Sequence, residues 1–128
     1  MHIPDDLRYA KTHEWARAEG DLVRIGISDH AQAELQDITY IELPEVGARL
    51  AQGEPFGVIE SVKAVADLNM PVGGEVVEVN TALPSDFDVI NSDPYGAGWM
   101  IVVRPSRPGE LKALMDAAAY RKLIEEEG

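Results

Sequence analysis

The stretch Val58-Ile59-Glu60-Ser61-Val62-Lys63-Ala64-Val65 sets one lysine at the junction of two apolar segments, residues 56–60 and 63–68, with only Ser61-Val62 between them. Two such segments separated so closely read as a β-hairpin. A lysine beside that turn is held away from the core by rigid strands, so an enzyme can reach its amine from solvent and acylate it. Exposed lysines are the norm, so position alone does not single out Lys63; its flanking residues do. Other chemistry is sparse. There is no G-x-S-x-G elbow, phosphate-cradling G-x-x-x-x-G-K-[ST], G-x-G-x-x-G or H-E-x-x-H in the sequence. His2, His13 and His30 lack close metal-ligand spacings and the carboxylates are scattered, so neither a metal site nor a catalytic residue is expected. His2 is expected in a mobile terminus, and His13 and His30 in exposed or hydrogen-bonded structural roles.

The absence of cysteine excludes disulfides, thiolate metal centres and cysteine nucleophiles, so any sulfur redox chemistry must be borrowed. A formal charge of −12 argues against a phosphate-tracking surface and points to basic protein partners rather than nucleic acid. The 128 residues, 45% hydrophobic and 27% charged, fit one domain with a real core over residues 1–128. The amino end has no apolar signal core, and the longest strongly apolar run, residues 99–103, is far short of a membrane span. A soluble, cytoplasmic monomer is expected, of prokaryotic type rather than a processed mitochondrial form.

Short strands must position the hairpin. Residues 22–27 place Val23, Ile25 and Ile27 on one face, and residues 38–43, 75–79 and 99–103 carry similar β-branched patterns between Gly and Pro turns. Ser28 or Asp29 can cap a short helix over residues 31–35. A second helix is predicted over about 108–124, with Leu111, Leu114, Met115, Ala118 and Leu123 as its buried stripe and Pro108 at its first position. Fraying is expected at Glu125-Glu126-Glu127, because the macrodipole disfavours negative charge at a helix C-terminus. Trp15, Tyr40, Phe56, Trp99 and Tyr120 are assigned to core packing, and Tyr95 to a turn anchor. The approach to the hairpin, residues 46–53, is faintly echoed at 71–74, as two similar halves meeting at a tight turn would produce.

Glu60-Ser61-Val62-Lys63-Ala64 resembles the lipoylation site of the H proteins of the glycine cleavage system. Further fragments agree in order: Tyr9 with His13-Glu14-Trp15; Gly26-Ile27-Ser28-Asp29-His30-Ala31-Gln32; and Glu42-Leu43-Pro44-Glu45-Val46-Gly47. Pro71-Val72-Gly73-Gly74-Glu75-Val76 with Asn80, Asn91 with Asp93-Pro94-Tyr95-Gly96, and Gly98-Trp99 complete a match covering nearly the whole chain. Ser28 stands where threonine is expected, which keeps the capping oxygen, and the loop 83–90 departs from the usual pattern.

The resemblance implies a mainly β fold, the lipoyl/biotinyl-type barrel-sandwich hybrid, with core about 9–104, a short internal helix and a C-terminal helix. It implies lipoic acid in amide linkage to Lys63 within the attachment motif Glu60, Ser61, Val62 and Ala64. The implied role is non-catalytic. The carrier takes an aminomethyl group from pyridoxal-phosphate-dependent glycine decarboxylase to the tetrahydrofolate-dependent aminomethyltransferase, and passes reducing equivalents to dihydrolipoamide dehydrogenase. A lipoate-attachment enzyme is a further partner. The loaded arm ends in an ammonium, for which a facing carboxylate is expected on the carrier; Glu14 and Asp67 are the candidates, with His30 a third. Alternatives are a lipoyl or octanoyl relay, a lipoyl domain of a 2-oxoacid dehydrogenase, a biotinyl domain, or an unmodified acidic interaction domain. Lipoyl and biotinyl domains typically carry Asp-Lys-Ala and Met-Lys-Met at the tip, whereas Val62 precedes Lys63 here.

Overall fold

The computed structural model describes residues 1–127. Nine strands form two sheets, β1 (Arg8–Tyr9), β2 (Glu14–Glu19), β3 (Leu22–Ile27), β4 (Ile38–Glu42), β5 (Arg49–Leu50), β6 (Pro55–Ser61), β7 (Val65–Asn69), β8 (Gly74–Val79) and β9 (Ile101–Pro105). The six-stranded sheet runs β1-β2-β3-β9-β8-β5 and the three-stranded one β4-β6-β7, every pairing being antiparallel. The alternation read in residues 22–27 survives as buried Val23, Ile25 and Ile27. These pack with Ile38, Ile41, Phe56, Ile59, Leu68, Val76, Ile101 and Val103 into a main core fed by both sheets, beside a second cluster of Ile3, Leu7, Tyr9, Trp15, Ala117 and Tyr120. The architecture is mainly β and consistent with a barrel-sandwich hybrid.

Helix α1 (Asp29–Leu35) begins as its cap predicts, the Ser28 hydroxyl accepting from the Ala31 amide at 3.2 Å. The loop at 83–90 carries a 3-10 turn at Leu83–Ser85 and leads into α2 (Asp88–Ser92), neither of which the sequence pattern announced.

The C-terminal region departs from expectation. Instead of one helix over 108–124 there are two, α3 (Gly109–Ala113) and α4 (Ala117–Glu127). Between them Met115 forms a β-bridge with Tyr9, the two residues exchanging amide-to-carbonyl bonds of 2.8 and 3.0 Å, while Leu114 is extended at ψ 160°. Those bonds satisfy the short β1 edge at the cost of helix continuity. Asp116 then restarts the helix by accepting from the Ala119 amide at 2.9 Å. The break shifts the buried face, so Ala117 and Tyr120 are buried and Ala118 is exposed. Pro108 immediately precedes α3 rather than opening it.

Three further expectations are corrected. His2 is tied down, its amide donating to Asp29 Oδ2 at 2.9 Å and its ring set edge-on to Tyr95. Tyr95 anchors more than a turn, since its hydroxyl accepts from the Asp29 amide and donates to the His2 carbonyl. Tyr40 is not core: it lies 44% exposed on the solvent face of β4, while Trp99 is half-buried with Arg24 over its ring.

Trp15 is fully buried directly across from Gly26, where any Cβ would fall 2.7 Å from the indole. The indole cannot retreat, because its Nε1 donates to the Pro94 carbonyl. Gly26→Ala is therefore expected to cost about 2 kcal/mol or more by overpacking. Gly109→Ala, which meets nothing within 4 Å in a helix, should be neutral or gain up to about 1 kcal/mol. Urea unfolding midpoints of the two variants check the contrast; equal midpoints would contradict it.

Candidate functional site

The hairpin is real, and its turn is built by one side chain. Strands β6 and β7 pair as far as Glu60 with Val65, and the Ser61 amide donates to the Ala64 carbonyl at 2.8 Å. Ser61 Oγ accepts from the amides of Lys63 (3.1 Å) and Ala64 (3.0 Å), satisfying donors that the ladder leaves free at the tip. The Val62 amide donates to the Asp37 carbonyl at 3.0 Å, which ties the tip to the start of β4. Strand β7 begins at Val65 rather than Lys63, so Lys63 sits within the turn. Val62, Lys63, Ala64 and Val65 are all exposed, the two valines at 66% and 68%.

Below the tip, the same two strands line a cleft of about 200 Å³. Ile27, Leu35, Ile59 and Leu68 supply its apolar surface, and Glu14, Asp67, Glu34 and His13 are its ionisable groups. Lys63 is three residues from Ala66 on the cleft wall, a separation of at most about 11 Å. A larger surface groove, about 660 Å³, is lined by Arg49, Arg104 and Arg107 and contains none of the candidate site residues Glu14, His30, Glu60, Ser61, Val62, Lys63, Ala64 and Asp67.

Glu14 is the most consequential of these groups. It is 1% exposed, yet it opens β2 at the cleft. Its two oxygens accept from the Thr12 hydroxyl and from the Asn69 amide (3.0 Å), the latter belonging to the other sheet. Burial dominates those hydrogen bonds and pushes the Glu14 carboxyl up to about 7. Asp67 is exposed on β7, opposite Val58. The structure thus brings Glu14 and Asp67 into one cleft. His30 does not line it; it packs behind, its ring 4.8 Å from that of His13. His13, whose imidazole burial holds below its ordinary range, lines the cleft itself.

Sequence reasoning missed Thr12, Asn69 and Glu34. Thr12 precedes the matched His13-Glu14-Trp15 fragment, and Glu34 lies one helical turn after His30, which were the signals available for them. Asn69 acts through its backbone and left no signal in its side-chain type.

An exposed lysine on a braced turn thus stands three residues from the wall of an acid-lined apolar cleft. The family model for the glycine cleavage H-protein covers residues 7–127. The chain belongs to that family. It is 53% identical over 127 residues to the glycine cleavage system H protein of Anaeromyxobacter sp. (strain K), covering 99% of both chains. It is 54% identical over 125 residues to that of Rubrobacter xylanophilus, covering 98% of this chain and 97% of that one. A mitochondrial relative from Oryza sativa subsp. indica is 53% identical over 98% of this chain and 76% of its own length. The crystal structure of a glycine cleavage system H protein from Mycobacterium marinum superposes with a TM-score of 0.88 at 41% identity, covering 96% of this chain and 99% of that one. No helix among the described residues is long and apolar enough to cross a membrane.

The raised Glu14 pKa is also a statement about stability. Its ordinary value is 4.5 and its folded value about 7. Between those two the folded chain holds a proton that the unfolded chain has released, so the contribution is complete below about pH 4.5 and is lost as pH rises through about 7. The loss amounts to about 3 kcal/mol. Glu14→Gln mimics the protonated form, so its stability relative to wild type should rise by up to that amount between about pH 4.5 and about pH 8. Urea unfolding at both pH values measures this; a pH-independent difference would contradict it.

Proposed function

We propose that the chain is the lipoylated carrier of a glycine cleavage system, with lipoic acid in amide linkage to Lys63. The observation that carries this reading is the juxtaposition of a braced, exposed Lys63 with a cleft that is apolar along its walls and acidic in its ionisable groups. The bound group supplies the disulfide that this cysteine-free chain lacks, able to accept an aminomethyl fragment and two electrons.

Every other part of the role belongs to the chain's own residues. Ser61 fixes the backbone of the turn, so the lysine side chain is offered from a constant place to an attachment enzyme. Glu60, Val62 and Ala64 complete the motif that such an enzyme reads. Exposed Val62 and Val65 flank the lysine as an apolar contact for each partner in turn. Ile59, Leu68 and Leu35, which line the cleft, would give the hydrocarbon part of an arm an apolar wall, and Glu14 and Asp67 would face its ammonium end. A cation arriving there favours the ionised form of Glu14, and the charge-assisted hydrogen bond that results holds the loaded end out of bulk water. His30 stands behind this wall and has no part in holding the arm.

The protein catalyses nothing itself in this reading; it serves glycine decarboxylase, the aminomethyltransferase and dihydrolipoamide dehydrogenase in the cytoplasm. It does so as a monomeric single domain over residues 1–128. A net charge of −12 steers it toward basic patches on those enzymes and raises encounter rates without tight binding.

Reconstitution with the three enzymes tests the reading. Lys63→Arg, which keeps the charge but cannot be acylated, should abolish glycine-dependent loading and oxidation. In lipoylated protein, Glu14→Gln and Asp67→Asn should each shorten the lifetime of the aminomethyl-loaded form by about tenfold or more, the worth of one charge-assisted hydrogen bond. Full turnover by Lys63→Arg would refute the carrier role. Unchanged lifetimes would remove Glu14 and Asp67 from the arm's binding site.

A further inference from the structure

Behind the cleft wall, three elements far apart in the chain bring metal-ligating atoms together. His13 lies in the β1–β2 connection, in the left-handed backbone region at φ 79°. His30 lies in the first turn of α1, and Glu127 is the last residue of α4. One ligand atom from each of these residues lies within 4.8 Å of the other two. His13 Nε2 is 3.2 Å and His30 Nε2 is 3.9 Å from the same Glu127 oxygen. We propose that His13, His30 and Glu127 form a binding site for a borderline divalent transition-metal ion, of which Zn²⁺ is the representative.

The surroundings of the two imidazoles can accommodate an ion in place of a simple ion pair. His13 uses its other nitrogen, Nδ1, against the Tyr120 hydroxyl at 2.7 Å, and that hydroxyl lies 2.6 Å from Ser28 Oγ. When Tyr120 donates to Ser28 it accepts from the His13 Nδ1–H, which leaves the Nε2 lone pair aimed at the Glu127 carboxylate. Two acceptors facing each other are reconciled by a cation between them, and a ring held through its remote nitrogen is the usual support of a ligating histidine. His30 Nε2 is buried and makes no hydrogen bond, although Glu34 Oε1 comes to 2.5 Å from it outside hydrogen-bond geometry. A buried imidazole nitrogen that makes no hydrogen bond calls for a partner. With three protein ligands the ion keeps its fourth position for water.

Two imidazoles with carboxylates suit Zn²⁺ and its neighbours, whereas Mg²⁺ and Ca²⁺ prefer oxygen-only shells. Tetrahedral ligands about 2.1 Å from zinc lie about 3.4 Å apart. The exposed Glu127 side chain and the His30 ring need shift by only an ångström or so to reach that spacing. The ion would join the β1–β2 connection, α1 and the end of α4 into one unit. Because His13 also lines the cleft, it would stiffen that wall without occupying the cleft.

Calorimetric titration of the full, chelator-treated, unlipoylated chain with ZnSO₄, alongside thermal unfolding, tests the proposal. One ion per chain and a rise in Tm are expected. Separately, His13→Asn, whose new side chain tolerates the left-handed backbone, and His30→Gln should each weaken binding by about tenfold or more. His2→Gln should leave it unchanged. Replacement by Co²⁺ should give the intense visible absorption of a four-coordinate centre in the wild type, a readout that needs no variant to fold. Absence of saturable binding, unchanged affinity in His13→Asn and His30→Gln, loss of binding in His2→Gln, or a weak octahedral Co²⁺ spectrum would each overturn the site.

Discussion

A carboxylate taken almost wholly out of water sits where the two sheets meet. Glu14 starts β2 of the larger sheet and accepts from the backbone of Asn69 at the end of β7 of the smaller one, so it bridges them at the base of the cleft. A lone buried carboxylate would be prohibitive in energy. Here Thr12 and Asn69 each supply a donor, and the remaining strain is expressed as a pKa near neutrality rather than as a broken fold. The neighbouring Trp15 is locked over Gly26, which fixes where β2 runs and hence where Glu14 points. The cleft is the space left between this bridge, α1 and the β6–β7 ladder.

That ladder does two jobs with one set of hydrogen bonds. Its tip, closed by Ser61, holds Lys63 away from the body of the protein. Its middle, where Ile59 faces Ala66, forms the wall of the cleft. Rigid strands between tip and wall keep the distance from lysine to cleft constant, so a flexible group on the lysine would have one short and reproducible path to a resting place. The exposed valines beside Lys63 leave the tip apolar in an otherwise strongly acidic molecule, a combination suited to brief docking on several different surfaces.

Much of this was legible in the residues. The alternation of Val23, Ile25 and Ile27, the Ser28 cap, the hairpin around Lys63 and the placing of Glu14 and Asp67 in one cleft all follow from local pattern or from the family resemblance. What was not legible depended on contacts between distant parts of the chain. The periodicity of residues 108–124 is helical throughout, but Tyr9 takes Met115 into a β-bridge and splits the helix. Three glutamates at a helix end predict fraying, yet α4 runs through Glu127, whose carboxylate lies 3.2 Å from His13 Nε2 and 3.9 Å from His30 Nε2, contacts between parts of the chain far apart in sequence. His2 and Tyr95 secure one another through a hydrogen bond and an edge-on ring contact that no sequence spacing encodes. Edge strands of two residues, such as β1 and β5, are too short for any alternation to be read.

The central claim is that Lys63 is the point at which this fold acquires its chemistry. The most direct measurement is the intact mass of protein made in cells able to attach lipoate, followed by mapping of the modified peptide. A single lipoyl increment is expected on the peptide containing Lys63 and none on the other lysines. A biotin increment would move the chain to another class of carrier, and a Lys63 that stays unmodified in such cells would contradict the account.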